Sequence, residues 1–166
     1  GSGDIDFNQG ADAKEVNICL LGSGDVTSEG MLCSQYKMKV DLQGSGDIDM
    51  KKIKAYNAEI SLMGSGDFEA DDVDLATLNA SVQGAGNMDL KGRVESVNYS
   101  VLGSGVINAA QLKAKRVKVN VNGSGTLKCH ADELLEGSVE NCGNLEISGK
   151  SRVEVSSSRQ GTVRRL

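Results

Sequence analysis

The chain has 166 residues, enough for one domain with a buried core, and it carries a net charge of -5 with 21 glycines, no proline and no tryptophan. Glycine does not recur at every third position, which excludes collagen, and the regularly spaced Val, Ile and Leu argue against disorder. The acidic balance and the 3% of aromatic residues argue against nucleic acid as a partner, and no apolar stretch approaches the ~20 residues of a membrane span.

A Gly-Ser-Gly triplet opens the chain and recurs along it. One copy reads Gly-Ala-Gly, the last copy is degraded to Cys142-Gly143-Asn144, and successive second glycines are 18 to 22 residues apart. We expect both glycines of a triplet to adopt positive φ at a sharp corner and to allow neighbouring repeats to approach closely. The predicted structural turns are Gly22, Gly24, Gly44, Gly46, Gly64, Gly66, Gly84, Gly86, Gly103, Gly105, Gly123 and Gly125.

Each triplet is followed by a short strand and preceded by another. Apolar and polar residues alternate in both stretches, a pattern typical of strands with one face buried. Two residues after the second glycine, the inward column is Ile5, Val26, Ile48, Phe68, Met88, Ile107, Leu127 and Leu145. Six residues before that glycine, it is Ile18, Val40, Ile60, Ala80, Tyr99 and Val119, and the pattern breaks at Gly137.

A weaker third stretch lies between these strands. Its inward positions are predicted to be Met31 and Cys33 in one repeat and Ile53 and Ala55 in the next. At Val94 the alternation of inward and outward positions shifts by one residue. Strands of about five residues with one apolar face are unstable alone, whereas identical repeats stacked in parallel form a continuous core. An antiparallel meander would not place the same residue types at one phase per repeat.

We therefore predict an all-β fold, a right-handed parallel β-helix (solenoid) with about eight rungs of ~20 residues, since parallel crossovers are right-handed in roughly 98% of cases. Residues 1–166 form a single domain in which 149–166 cap the C-terminal end. The first rung starts at once with Ile5 and Phe7. We expect this rung to be covered by another chain, as in a homo-oligomer formed through the N-terminal end, or by residues that precede it.

An acidic row follows the triplets at Asp4, Asp25, Asp47 and Asp67 and loses its charge from Asn87 onward. Stacked carboxylates could hold calcium, but the row is only half charged and the calcium-binding nonapeptide spacing is not matched. We expect each carboxylate to cap its own turn, and we predict no metal site and no cofactor. A phosphate loop is also disfavoured, because a strand and an acidic residue follow the glycines.

Catalytic residues are not predicted. The single histidine, His130, is expected on the surface, and the uniform rung length leaves no loop to wall a cleft. Cys33 and Cys129 fall on inward rows, while Cys19 and Cys142 lie about seven rungs apart, too far for a disulfide. We expect four free thiols.

The ladder of rungs resembles the auto-transporter adhesin head domains, also called GIN domains. The resemblance rests on GSGDID at Gly1 and Gly44, GSGDV at Gly22, GSGDF at Gly64, and the closing pattern Gly161-Thr162-Val163-Arg164. It implies a right-handed β-helix and a secreted or surface-anchored bacterial protein outside the cytoplasm. The family brings no catalytic residues.

Two functions are compatible with these patterns. The first is a non-enzymatic cell-envelope or surface module, adhesin-like, that binds a glycan or envelope component through a repeated polar row; the alternative is a structural spacer without a specific ligand. A polysaccharide-active β-helix enzyme is a distant alternative. The candidate polar surface row is Ser61, Ser81, Ser100, Asn120 and Ser138.

Overall fold

A computed structural model describes residues 1–166, which form strands and turns without any helix. The strands are β1 (Ile5–Phe7), β2 (Ala11–Gly22), β3 (Val26–Gly44), β4 (Ile48–Gly64), β5 (Phe68–Gly84), β6 (Asn87–Gly103), β7 (Val106–Gly123), β8 (Thr126–Asn141), β9 (Asn144–Ser148), β10 (Arg152–Ser157) and β11 (Thr162–Arg165).

All strands pair in parallel with the equivalent strand of the next turn. The order is β1-β3-β4-β5-β6-β7-β8-β9-β11, with β2 beside β3 and β10 beside β8. Strands β3 to β8 each follow most of a turn and bend at its corners, where the pairing register shifts, as between Ser28 and Met31. The predicted all-β solenoid of about eight turns is confirmed. Its right-handed sense stays a prediction.

The core is the stack of inward columns. Forty buried apolar side chains form one cluster through the interior, and Ile60 lies in it between Val40 and Ala80. Tyr99 occupies the next level of this column and is fully buried, next to the small side chain of Ala80. Burial raises the pKa of the Tyr99 hydroxyl well above its usual value, and the hydroxyl has no hydrogen-bond partner.

The predicted inward positions of the third stretch are wrong in the second turn. Leu32 and Ser34 are buried there, whereas Met31 is 48% exposed and Cys33 pairs with Lys54 in an outward column. The physical reason is one extra residue at each of two corners relative to the following turn, the first between Ser28 and Met31. An insertion of one residue moves every following side chain to the opposite face.

The two glycines of each triplet have different roles, so the expectation of positive φ at both is wrong. Among the triplet glycines, positive φ occurs only at the first glycine of the internal triplets, where it lies between 122° and 138°, for example at Gly64. The second glycine is required for a different reason: a Cβ on Gly66 would overlap the carbonyl oxygen of Gly46 in the preceding turn. Close approach of backbones, rather than left-handed geometry, therefore explains this position.

The C-terminal segment continues the solenoid instead of folding across it. Strand β11 pairs with β9, placing Val163 beside Leu145, while Val153 and Val155 of β10 lie beside Leu135 and Gly137 of β8. Val153, Val155 and Val163 of the predicted capping segment 149–166 thus extend the inward columns by one more level.

Candidate functional site

One face of the solenoid carries a shallow polar groove of about 500 Å³. Its floor is the middle of the predicted polar row: Ser61, Ser81, Ser100 and Asn120 are register partners in β4 to β7. These side chains point outward because their neighbours in sequence occupy an inward column, and adjacent levels lie ~4.8 Å apart. Ser138 belongs to the same column but lies outside the groove.

Longer side chains border this floor. Asn79 and Asn98 line one side, where the Asn98 amide donates a 2.8 Å hydrogen bond to the Asn79 carbonyl oxygen, and Gln83 lines the other. Charge appears only toward the ends, at Glu59 and Lys118, and Glu59 is neutralised in part by Lys37 at 3.0 Å. The middle of the groove therefore offers hydroxyl and amide donors and acceptors without net charge.

Two exposed tyrosines at equivalent positions of β3 and β4 were not predicted from the sequence as site residues. Tyr36 is 61% exposed and Tyr56 is 64% exposed, at the corner that precedes the outward strand segments of β3 and β4. Tyr56 lies three residues before Glu59, or about 10 Å of extended chain. Their recurrence 20 residues apart, at one phase of the repeat, is the signal that could have identified them.

The acidic row stabilises the corners by linking consecutive turns. Oδ1 of Asp25 accepts a 2.9 Å hydrogen bond from the backbone N–H of Asp47, and Asp47 does the same for Asp67 at 2.8 Å. The expectation that each carboxylate caps its own turn is therefore wrong, since the N–H belongs to the next turn. No group of three or more His, Cys, Asp or Glu side chains is placed to hold a metal ion.

The row loses its charge where the backbone takes over this hydrogen bond. The strands from β6 onward start directly after the second glycine, and from β7 onward a backbone carbonyl accepts this hydrogen bond: the N–H of Val106 donates to the carbonyl oxygen of Gly86 at 3.2 Å. Thr126 and Asn144 bond to Gly105 and Gly125 in the same way. A side-chain acceptor is no longer needed at those turns.

Charged side chains on another face form a network across three turns. Asp71 accepts hydrogen bonds from Lys91 at 2.8 Å and from Lys51 at 3.3 Å. These two ammonium groups hold the pKa of the Asp71 carboxyl below its usual value, and the Asp71 and Glu69 carboxylates raise the pKa of Lys91. The three side chains are partly exposed, and their ion pairs link neighbouring turns.

His130 has partners that the sequence did not reveal. Its Nδ1 lies 3.1 Å from Oγ of Ser148 on the next turn, and its Nε2 lies 3.0 Å from Oδ1 of Asp132. The Ser148 hydroxyl also donates to the carbonyl oxygen of Cys129 at 3.3 Å, so its proton is directed to the backbone rather than to the imidazole. This geometry suits a structural link between β8 and β9 better than an activated nucleophile.

The four cysteines are free thiols, with Cys19 and Cys142 exposed. Only Cys129 is fully buried, and desolvation raises the pKa of its thiol to about 12, which keeps it protonated and unreactive.

Several solved structures share this fold. One is described as a putative lipid binding protein from Parabacteroides distasonis (25% identity, TM-score 0.80), and the match covers 92% of this chain and 61% of the other. Another is described as a putative adhesin from the same organism; it is 20% identical with a TM-score of 0.84, and the match covers 91% of this chain and 64% of the other. A third, described as a putative adhesin from Parabacteroides merdae, is 21% identical with a TM-score of 0.77, and the match covers 92% of this chain and 63% of the other. The chain thus spans about three fifths of their length.

No curated protein matches the sequence significantly. No helix of the length and apolar character needed to cross a bilayer occurs in the chain. The family described as "Putative auto-transporter adhesin, head GIN domain" matches residues 1–70 and 35–151, and together these segments cover most of the chain. The protein is therefore a member of that adhesin head-domain family, as the GSGD ladder predicted.

Proposed function

We propose that the protein is a non-enzymatic, adhesin-type binding module that works outside the cytoplasm and holds an uncharged, hydroxyl-rich ligand, a neutral glycan chain, in its polar groove. The observation that carries this proposal is the continuous floor of Ser61, Ser81, Ser100 and Asn120, bordered by amides and without charge at its centre. Membership of the adhesin head-domain family supports the function and the location.

The groove matches a glycan chain in both chemistry and shape. Hydroxyl and amide groups donate and accept hydrogen bonds, as sugar hydroxyls do, and each such bond contributes only about 0.5–1.5 kcal/mol net. Affinity then depends on many repeated contacts along the solenoid axis, which a regular array at ~4.8 Å spacing supplies. An extended ligand crossing four turns would meet a serine or asparagine at every level.

The exposed tyrosines extend the proposed site. A tyrosine ring provides a large, rigid contact surface at low entropic cost and is enriched in binding hot spots. Tyr36 and Tyr56 lie at neighbouring turns, and Tyr56 precedes Glu59 at the end of the groove by three residues, so we expect a branch or end of the glycan to reach Tyr56. Replacing Tyr56 by alanine is then expected to weaken binding by about tenfold.

A glycan array probed with the purified chain tests the proposal, followed by calorimetry on the best neutral and best sulfated oligosaccharides. Ser81→Tyr fills the groove at an outward strand position that tolerates an aromatic side chain, and should abolish binding of the neutral ligand. Gln111→Tyr is the matched control, because Gln111 is an exposed outward residue that does not line the groove. Binding to phospholipid vesicles is also measured, since one structural relative is described as a putative lipid binding protein.

The proposal predicts that neutral glycans bind, that Ser81→Tyr loses them and that Gln111→Tyr keeps them. Equal loss in both variants, or a preference for sulfated chains or vesicles, contradicts the groove as a neutral-glycan site. Complete absence of binding favours the structural spacer.

A further inference from the structure

The side-chain amide of Asn98 is held in one orientation in the polar groove. Its Nδ2 donates a 2.8 Å hydrogen bond to Oδ1 of Asn79, the register partner of Asn98 on the preceding turn. Because the nitrogen and oxygen of an amide lie on opposite branches of its carbonyl carbon, this bond directs Oδ1 of Asn98 away from β5 and toward β7. No group of the chain donates a hydrogen bond to this oxygen, so it is available as an acceptor for a ligand.

The adjoining turn supplies hydrogen-bond donors from β7. Lys118, the register partner of Asn98, and Asn120, two residues farther along the strand, both line the groove. Neither side chain forms a hydrogen bond or an ion pair within the chain, whereas the amide of Asn122, the next outward residue, donates to Glu140 at 3.5 Å. The N–H groups of Lys118 and Asn120 are therefore available to a carbonyl oxygen of a ligand.

An exposed leucine lies on the other side of the groove floor. On β6, Asn98, Ser100 and Leu102 alternate with buried residues, so Leu102 points outward beside Ser100 and on the side opposite Asn98. It is 38% exposed and is the only exposed large apolar side chain in strands β5 to β8. Its register partners on the neighbouring turns are the polar Gln83 and Asn122. A ligand that covers Leu102 with an apolar group would remove apolar surface from water, which is favourable.

These groups match the three parts of an acetamido substituent. Oδ1 of Asn98 can accept its N–H, the free donors of β7 can bind its carbonyl oxygen, and Leu102 can contact its methyl group. The Cα atoms of Asn98 and Leu102 are four residues apart, about 13 Å in an extended strand, which leaves room above Ser100 for a small substituent between the two side chains. A sugar hydroxyl could replace the hydrogen bonds, but it has no methyl group to cover Leu102.

We propose that the groove selects glycans that contain N-acetylated amino sugars, and that Asn98, Leu102 and Asn120 hold one acetamido group of the chain. This inference rests on the proposed glycan-binding function of the groove and names the class of sugar. The acetamido N–H donates to Oδ1 of Asn98, the carbonyl oxygen accepts from Nδ2 of Asn120, and the methyl group packs on Leu102. An N-acetylated amino sugar is neutral, as the uncharged centre of the groove requires.

Pairs of glycans that differ only in this substituent test the proposal. N-acetylchitotetraose and cellotetraose share one backbone linkage and carry either an acetamido or a hydroxyl group at the same carbon of every sugar. A glycan array extends the comparison to pairs with other linkages and to matching uronic-acid chains. In calorimetry on the pair that binds best, the acetamido member should bind about tenfold more tightly than the hydroxyl member, because it alone covers Leu102 and forms the paired amide hydrogen bonds.

Substitutions on β6 test the contacts through the ratio of the two affinities. Leu102→Gln introduces the residue type that β5 carries at the equivalent position, Gln83, and Asn98→Leu removes the acceptor oxygen. Each should lower the tenfold ratio to about threefold or less. Met63→Gln is the matched control, because Met63 occupies the same outward column as Leu102 two turns away, and it should keep the ratio. Circular dichroism and melting of each variant verify the fold.

Tighter binding of the acetamido member, with a ratio that falls in Leu102→Gln and Asn98→Leu but not in Met63→Gln, supports the inference. Equal binding within every pair, with Ser81→Tyr still abolishing it, overturns the inference alone and leaves the groove as a glycan site. Tighter binding of uronic-acid chains, or an equal fall of the ratio in Met63→Gln, also overturns it. If no neutral glycan binds at all, the proposed function fails and this inference fails with it.

Discussion

The carboxylate of Asp47 accepts a 2.8 Å hydrogen bond from the backbone N–H of Asp67, one turn farther along the solenoid. This contact supplies an acceptor at a corner where the parallel backbone pairing is interrupted. An N–H without a partner costs free energy, so the acidic row has a structural role that its position in the sequence does not reveal.

Removing this acceptor should destabilise the protein. Asp47→Ala leaves the Asp67 N–H without its partner and should lower the free energy of unfolding by about 1–2 kcal/mol, measured by urea denaturation. Asp47→Asn keeps an acceptor oxygen and should lose less than half as much. Equal losses in the two variants would mean that charge, rather than hydrogen bonding, explains the row.

Calcium should have little effect on stability. Each carboxylate of the row already accepts a backbone N–H, and no cluster of acidic side chains surrounds a common point. Millimolar calcium is therefore expected to leave the melting temperature unchanged in differential scanning fluorimetry. A rise of several degrees that Asp47→Asn abolishes would identify the row as a ligand ladder.

Neighbouring residues on β4 should differ sharply in their tolerance of charge. Ile60→Asp places a carboxylate in the core and should cost about 3 kcal/mol or more, because Ile60 is only 1% exposed. Ser61→Asp points outward beside Asp41 and should cost less than about 1 kcal/mol. Chemical denaturation of both variants measures the difference, and similar losses would contradict the inward assignment of Ile60.

The second glycine of a triplet should be intolerant of a methyl group only where another turn lies beneath it. Gly66→Ala would overlap the carbonyl oxygen of Gly46 and should cost about 2 kcal/mol or more. Gly3→Ala is the matched control, because its added Cβ would have no atom within 4 Å. Thermal melting should place Gly3→Ala near the unsubstituted protein, and a comparable loss at both glycines would refute the close-approach explanation.

The charged network predicts a weak dependence of stability on acid. Lys91 and Lys51 lower the pKa of Asp71 in the folded protein, so its contribution is present at pH values above the unfolded pKa of about 3.9 and is lost as pH falls. Asp71→Asn should therefore reduce stability at pH 7 by less than about 1 kcal/mol, since the side chains of the network are partly exposed and solvent screens their charges.

Urea denaturation at pH 7 and pH 3 tests this assignment, with the difference between Asp71→Asn and the unsubstituted protein shrinking at pH 3. Asp72→Asn is the control, because Asp72 forms no ion pair. A deficit in Asp71→Asn that is equally large at both pH values would show that the lost packing, not the ion pairs, is responsible.

Much of the fold could be predicted because the same alternation of apolar and polar residues recurs in each repeat. The alternation around Ile60 and Ser61 assigns one side chain to the core and the next to solvent, and the spacing of the triplets aligns these assignments between turns. The polar floor from Ser61 to Asn120 followed from that alignment alone. Its concave shape did not, because it depends on the longer side chains of Asn79, Asn98 and Gln83 on either side.

The sequence by itself thus determined the parallel solenoid, the inward columns and the family, since regular apolar spacing leaves few other ways to bury those side chains. Only the tertiary structure decided the contacts between residues about 20 positions apart: the bond from Asp67 to Asp47, the partners of His130 and the burial of Leu32 instead of Met31. Small insertions at the corners change which residues of neighbouring turns face each other. That register depends on backbone pairing across turns, which local alternation cannot specify.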